Sequence, residues 1–212
     1  MNLNGGDNNQ KMKLEMMFLS DDNKTKILNT ALELFSKKGL GESTVDEIVK
    51  ESGLSKGTFY YYFKGKNQLF LELLETGVDF LIEKMNNRIS GQEGFHKIKE
   101  VIDSQVDLFV EYPHFYKLMI SEVWRLEEIW HEDVQRIRRR YVSFIEEILK
   151  WGQEKQYIRQ DIEIELMGPA LFGMIGNVAM HQLMTEKTCN KDHIKRAVYS
   201  AFFNGILTKP NV

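Results

Sequence analysis

The stretch that decides the fold is VDEIVKESGLSKGTFYYYFKGKNQL, Val45 to Leu69. Val45, Ile48 and Val49 share one side of a short helix, and Thr44 and Glu47 ahead of them have capping-box spacing. Gly53 supplies the left-handed conformation that ends this helix, and Ser55 caps the next. In the second helix, Lys56 to Phe63, Phe59 and Phe63 lie four apart and face a core with Leu54. Gly57 and Tyr61 point the opposite way, with Lys56, Thr58, Tyr60 and Tyr62 on the flanks. Gly65 breaks the chain and Lys66 begins a long helix. Two short helices about a tight turn make a helix-turn-helix. No Asp or Glu occurs from Ser52 to Leu71, whereas Lys56, Lys64 and Lys66 all fall there. Such a surface suits nucleic acid.

Outward from this unit the periods stay helical. Upstream, Ser20 to Lys38 places Ile27, Ala31, Leu34 and Phe35 on one face, with Ser20, Asp21 and Asp22 as caps and Gly39 as the stop. Residues 1–19 read as a disordered arm, polar and rich in glycine and asparagine up to Met16. Lys11 and Lys13 in it could touch a DNA backbone, and translation could begin at Met16 or Met17. Downstream, helices are expected over Lys66–Ile89, Phe95–Glu111, His114–Trp130, Asp133–Lys155, Asp161–Glu186 and Asn190–Thr208, with Asp161 and Asn190 as caps. No strand signal is found. The expected fold is all-α, with about nine helices. It divides into a three-helix helix-turn-helix domain over 20–65 and a helical ligand-binding and dimerisation domain over 66–212.

Composition narrows the function. A net charge of −3 excludes a globally basic coat protein, so contact with DNA must come from a local patch. The single cysteine, Cys189, allows no intramolecular disulfide and fits a reducing cytoplasm. No secretory signal is visible. The longest apolar stretch, Leu166 to Met180, is too short to span a membrane and carries Pro169 and Asn177. His131-Glu132 lacks the second histidine of a zinc motif, and no glycine-rich phosphate loop occurs. No catalytic residue, metal or cofactor is therefore expected.

The pattern Ile27, Ala31, Leu34-Phe35, Gly39, Thr44-Val45, Ile48, then Ser52 through Phe63, Lys64, Lys66 and Leu69 resembles the tetracycline-repressor (TetR) family of bacterial transcription regulators. Tyr62 stands where that family often carries histidine, and no arginine precedes Arg88, which removes the commonest guanine contact from this domain. The resemblance implies a homodimer with one DNA-binding head per subunit, and a body whose small-molecule inducer changes the spacing of the heads and releases the operator.

Thr44, Ser55, Lys56, Gly57, Thr58, Tyr60, Tyr61, Tyr62 and Lys66 are the expected DNA-binding residues. Lys56 and Lys66 would neutralise phosphates, Thr44 and Ser55 would donate to them, and Thr58, Tyr60 and Tyr61 would touch base edges. Gln105, Phe109, His114, Phe115, Tyr116, Met119, Trp124, Trp130, Phe144, Asn177 and His181 are the expected ligand-binding residues, apolar with a few polar groups. Phe172, Gly176, Ala197, Ala201 and Gly205 are the expected dimer interface, because small residues let helices approach. These point to a ligand-responsive regulator, a repressor with a hydrophobic or aromatic inducer and a palindromic double-stranded operator. The alternatives are an all-helical enzyme on a hydrophobic small molecule or a helical interaction adaptor.

Overall fold

The computed structural model describes residues 22–123, 131–186 and 190–206. Among them run nine helices and no strand: α1 Asn23–Glu42, α2 Val45–Ser52, α3 Lys56–Tyr62, α4 Lys66–Ile89, α5 Gly94–Glu111, α6 Pro113–Val123, α7 His131–Glu154, α8 Ile164–Glu186 and α9 Lys191–Ile206. The all-α expectation holds. The N-terminal arm, Trp124, Trp130 and Cys189 lie outside the described residues.

Local signals set the first three helices. Asp22 accepts from the Thr25 N–H at 2.8 Å and caps α1. Gly39, at φ 85° and ψ 163°, kinks α1 rather than ending it, and a last turn runs on to Glu42. That turn buries Leu40, which rewards the extension. The capping box of α2 is complete: Thr44 Oγ1 accepts from the Glu47 N–H, and the Glu47 carboxylate accepts from the Thr44 N–H at 2.9 Å. Gly53 takes φ 70° in the turn to α3.

Behind these helices α4 runs from the head into the body and packs on α1, α5 and α7. Residues from Ile27 in α1 to Phe203 in α9 join one continuous core, so head and body share apolar packing. The seam between them is closed by α6 lying on α1. α6 also seats the buried Phe115 ring in a notch of α4, where Gly77 has no side chain.

α5 contacts α4, α7, α8 and α9 and is the centre of the body. Its Asp103 and Asp107 receive Lys99, Lys191, Lys195 and Arg88, and the Tyr199 hydroxyl donates to Asp103. Burial alone raises both carboxyls, but these donors prevail and hold them below their ordinary values. The network fastens α9 to α5 and α4. At the far end, Asn190 Oδ1 accepts from the His193 N–H at 3.0 Å and caps α9 as expected. Asp161 does not cap α8; it pairs with Arg159, and α8 starts three residues later.

Candidate nucleic-acid interface and body interior

α3 is held by its ends and its inner side. Ser55 Oγ accepts from the Thr58 N–H at 3.0 Å. Phe59 and Phe63 are 0% and 1% exposed, with ring centroids 5.8 Å apart. Burying that side turns the other outward: Tyr61 is 82% exposed and Tyr60 57%. Gly57 between them is open, since a Cβ there would meet only Ser55 Oγ at 3.6 Å. Lys56, Gly57, Tyr60 and Tyr61 thus form an exposed strip, with Thr58 and Tyr62 half-buried beside it. Tyr61 rests edge-on against Tyr62, 4.9 Å between centroids.

Three of the polar residues expected to meet phosphate are already engaged. Lys56 Nζ lies 2.8 Å from the Asp46 carboxylate, and that hydrogen bond, with the carboxylate's charge, raises the lysine's pKa. The Thr44 hydroxyl donates to the Glu47 carboxylate at 2.9 Å, so its proton is not free for an anion. Lys38 donates to the same carboxylate at 2.5 Å and, with Thr44, draws it down to about 2. Lys66 departs furthest from expectation. Its ammonium donates to the backbone oxygens of Leu40, Gly41 and Ser43 at 2.8, 2.9 and 2.8 Å. A lysine has three N–H groups, and all three are spent within the protein. Asp46 was missed because the acid-free window begins only at Ser52; its place one helix earlier in a helix-turn-helix was the available signal.

In the body interior, the buried hydroxyls of Tyr116 and Tyr141 lie 3.3 Å apart, and the latter reaches Met85 Sδ at 3.8 Å. Burial raises both phenols well above their ordinary value. Phe109 lies 4.7 Å from Tyr116 between ring centroids, and Phe172 lies 5.5 Å from Tyr141. Gln105, one turn before Phe109, is 2% exposed, and its Nε2 has no hydrogen-bond partner among the described residues. Met119 is buried and Phe144 half-buried.

Other expected ligand residues are placed elsewhere. The His114 ring meets Ser36 Oγ of α1 at 2.8 Å across the head–body seam, and burial lowers its pKa. Phe115 fills the Gly77 notch. Asn177 and His181 are exposed on the outer side of α8, with Asn177 Nδ2 donating to the Gly173 oxygen of its own helix.

The expected dimer residues divide in the same way. Ala197, Ala201 and Gly205 are exposed on α9. Phe172 and Gly176 turn inward: the first packs on Tyr116 and Tyr141, and a Cβ on the second would meet Ile120 Cδ1 at 3.1 Å. The two belong to intrachain packing. The outer side of α8 is instead Leu166, Ala170, Met174, Asn177 and His181. With α9 it forms an open groove of about 550 Å³ lined by Leu166, Met167, Ala170, Met174, Ala201 and Gly205 among others.

Among the described residues, no helix is long and apolar enough to cross a membrane, and no group of three metal-ligating side chains occurs. A family model described as "Bacterial regulatory proteins, tetR family" matches residues 27–73, and one described as "YsiA-like protein, C-terminal region" matches residues 74–205. The chain is 27% identical over 156 residues to the HTH-type transcriptional regulator YvdT of Bacillus subtilis, covering 73% of this chain and 79% of that protein. Over 51 residues it is 57% identical to the HTH-type transcriptional regulator QacR of Staphylococcus aureus, covering 24% of this chain and 27% of QacR. The transcriptional regulator FadR from Bacillus subtilis, solved in complex with stearoyl-CoA, superposes with a TM-score of 0.76 at 22% identity, covering 85% of this chain and 98% of FadR.

Proposed function

The chain belongs to the TetR family of bacterial regulatory proteins, and on that premise we propose that it is a cytoplasmic homodimeric repressor, released from a palindromic operator by an apolar small molecule. The observation that carries this reading is the α3 strip. Tyr60 and Tyr61 stand in solvent because Phe59 and Phe63 lock the opposite side of the same short helix. Large exposed aromatics beside an open glycine fit a surface that meets another molecule. On DNA, Gly57 lets the backbone approach closely, and Thr58, Tyr60 and Tyr61 meet base edges and thymine methyls. Lys56 exchanges Asp46 for a phosphate at little cost, since solvent screens an ion pair whose partners are both exposed. With no arginine before Arg88, hydroxyls, methyl contacts and DNA shape carry the readout in place of a bidentate guanidinium.

The outer α8–α9 face supports the dimer. Ala197, Ala201 and Gly205 let two helices from each subunit meet as a four-helix contact. Two α3 helices then fall one DNA turn or slightly more apart, roughly 34–40 Å. Ala201→Asp puts a charge on that face, and sedimentation should show a monomer that binds operator poorly. A variant that stays dimeric would assign the interface to another surface.

The interior around Gln105, Phe109, Tyr116 and Tyr141 supports the inducer site. An unpaired buried amide nitrogen costs about 1–3 kcal/mol, which an acceptor on a ligand would recover. FadR's complex with stearoyl-CoA makes an acyl thioester the first compound to try. The function itself is tested by rounds of selection from random duplex DNA. Enrichment of an inverted repeat supports it, and no enrichment over non-specific binding overturns it.

A further inference from the structure

We propose that Lys66 is a positioning residue that pins α4 to the end of α1 and so orients α3, and that its charge is not a phosphate contact. The inference rests on the DNA-binding reading above. The three carbonyls it holds, those of Leu40, Gly41 and Ser43, cluster where α1 ends. A helix leaves its last carbonyls without partners and gathers partial negative charge there, so a cation is favoured. Yet Lys66 is itself the first residue of α4, where the helix dipole disfavours a cation, and Gly65 before it provides no side-chain cap. The conflict is relieved because the side chain reaches back across 23 to 26 residues to α1. Reaching a phosphate would break three charge-assisted hydrogen bonds at once.

The pin has a mechanical consequence. Ser43 directly precedes Thr44, the cap of α2, and its hydroxyl donates back to the Gly39 oxygen at 2.8 Å. From Thr44 the chain passes through α2, the Gly53 turn and α3, and returns to Lys66 at the head of α4. Lys66 therefore closes a ring: the reading unit is held at its entry and its exit by one side chain. A displacement of α4 by the body would carry the α1–α2 corner with it, and α3 would move as part of a rigid head.

The test uses full-length protein and the duplex enriched by the wild type, titrated across a range of salt. Lys66→Met removes charge and donors. Lys66→Arg keeps the charge but cannot converge three donors on one point. Both are expected to weaken the enriched duplex roughly tenfold, as a slightly misplaced reading helix would, at a temperature where each is fully folded. Non-specific binding and the salt slope should match the wild type. A slope lower by about 0.9 in Lys66→Met, with Lys66→Arg unimpaired, would make Lys66 a phosphate ligand and overturn the proposal. Unchanged affinity in both variants, with only a lower melting temperature, would reduce Lys66 to a stabilising residue and also overturn it. Failure of the wild type to enrich any duplex would strike the regulator reading instead.

Discussion

Phe59→Ala abolishes binding to the enriched duplex and lowers the unfolding free energy by about 3–5 kcal/mol, the usual cost of emptying a fully buried aromatic site. Phe59 is 0% exposed, touches Phe63 and Tyr60 through its ring, and comes from a helix of only seven residues. So short a helix has almost no stability of its own, because nucleation consumes most of what its few hydrogen bonds return. Tertiary burial of Phe59 and Phe63 is what keeps α3 helical and its opposite side outward. Without the ring the strip of Lys56, Gly57, Tyr60 and Tyr61 loses its fixed aim as well as its anchor. Urea titration followed by circular dichroism reads the first effect, and duplex titration the second. A variant of wild-type stability that still binds would mean that α3 is fixed by other contacts.

Gly77→Ala destabilises the protein by about 2–3 kcal/mol even though alanine is the better helix former. Propensity alone favours the change by about 1 kcal/mol. Against it, the new Cβ would lie 2.1 Å from Phe115 Cε2 and 2.3 Å from Cζ. The Phe115 ring is fully buried and α6 rests on α1 behind it, so the ring has little room to retreat. Overpacking wins over propensity. Phe115→Leu makes space for the methyl, so Gly77→Ala/Phe115→Leu should be more stable than the two single losses combined would give. Calorimetry on the four proteins of this cycle measures the coupling. Simple additivity would mean that α4 and α6 can slide past one another.

The head was legible because its signals are local. A capping box, a left-handed glycine and an i, i+4 phenylalanine pair each act within one or two turns, and each is found where it was expected. Lys66 is set by contacts that are not local. Its type and place suggested a phosphate, but its partners lie two helices away and nothing near it announces them. Asp46 reaches Lys56 across a turn for the same reason.

The body was legible as helices but not as faces. α8 is apolar on nearly every side, so periodicity could not separate the inward Phe172 and Gly176 from the outward Asn177 and His181. On α9, with Lys and Arg to mark the wet side, the exposed Ala197, Ala201 and Gly205 could be picked out. The chemistry of His114 alone suits a pocket residue. Its pairing with Ser36 depends on how α6 lies across α1, which no short-range pattern encodes.

If the outward side of α3 reads DNA, Tyr60→Ala/Tyr61→Ala removes its two most exposed side chains. Both side chains are exposed, so their removal should leave the fold intact, as circular dichroism would verify. Titrated against the enriched duplex, the double variant should bind roughly ten- to a hundredfold more weakly than the wild type, with non-specific binding little changed. Wild-type affinity for that duplex in the folded double variant would mean that another surface reads DNA.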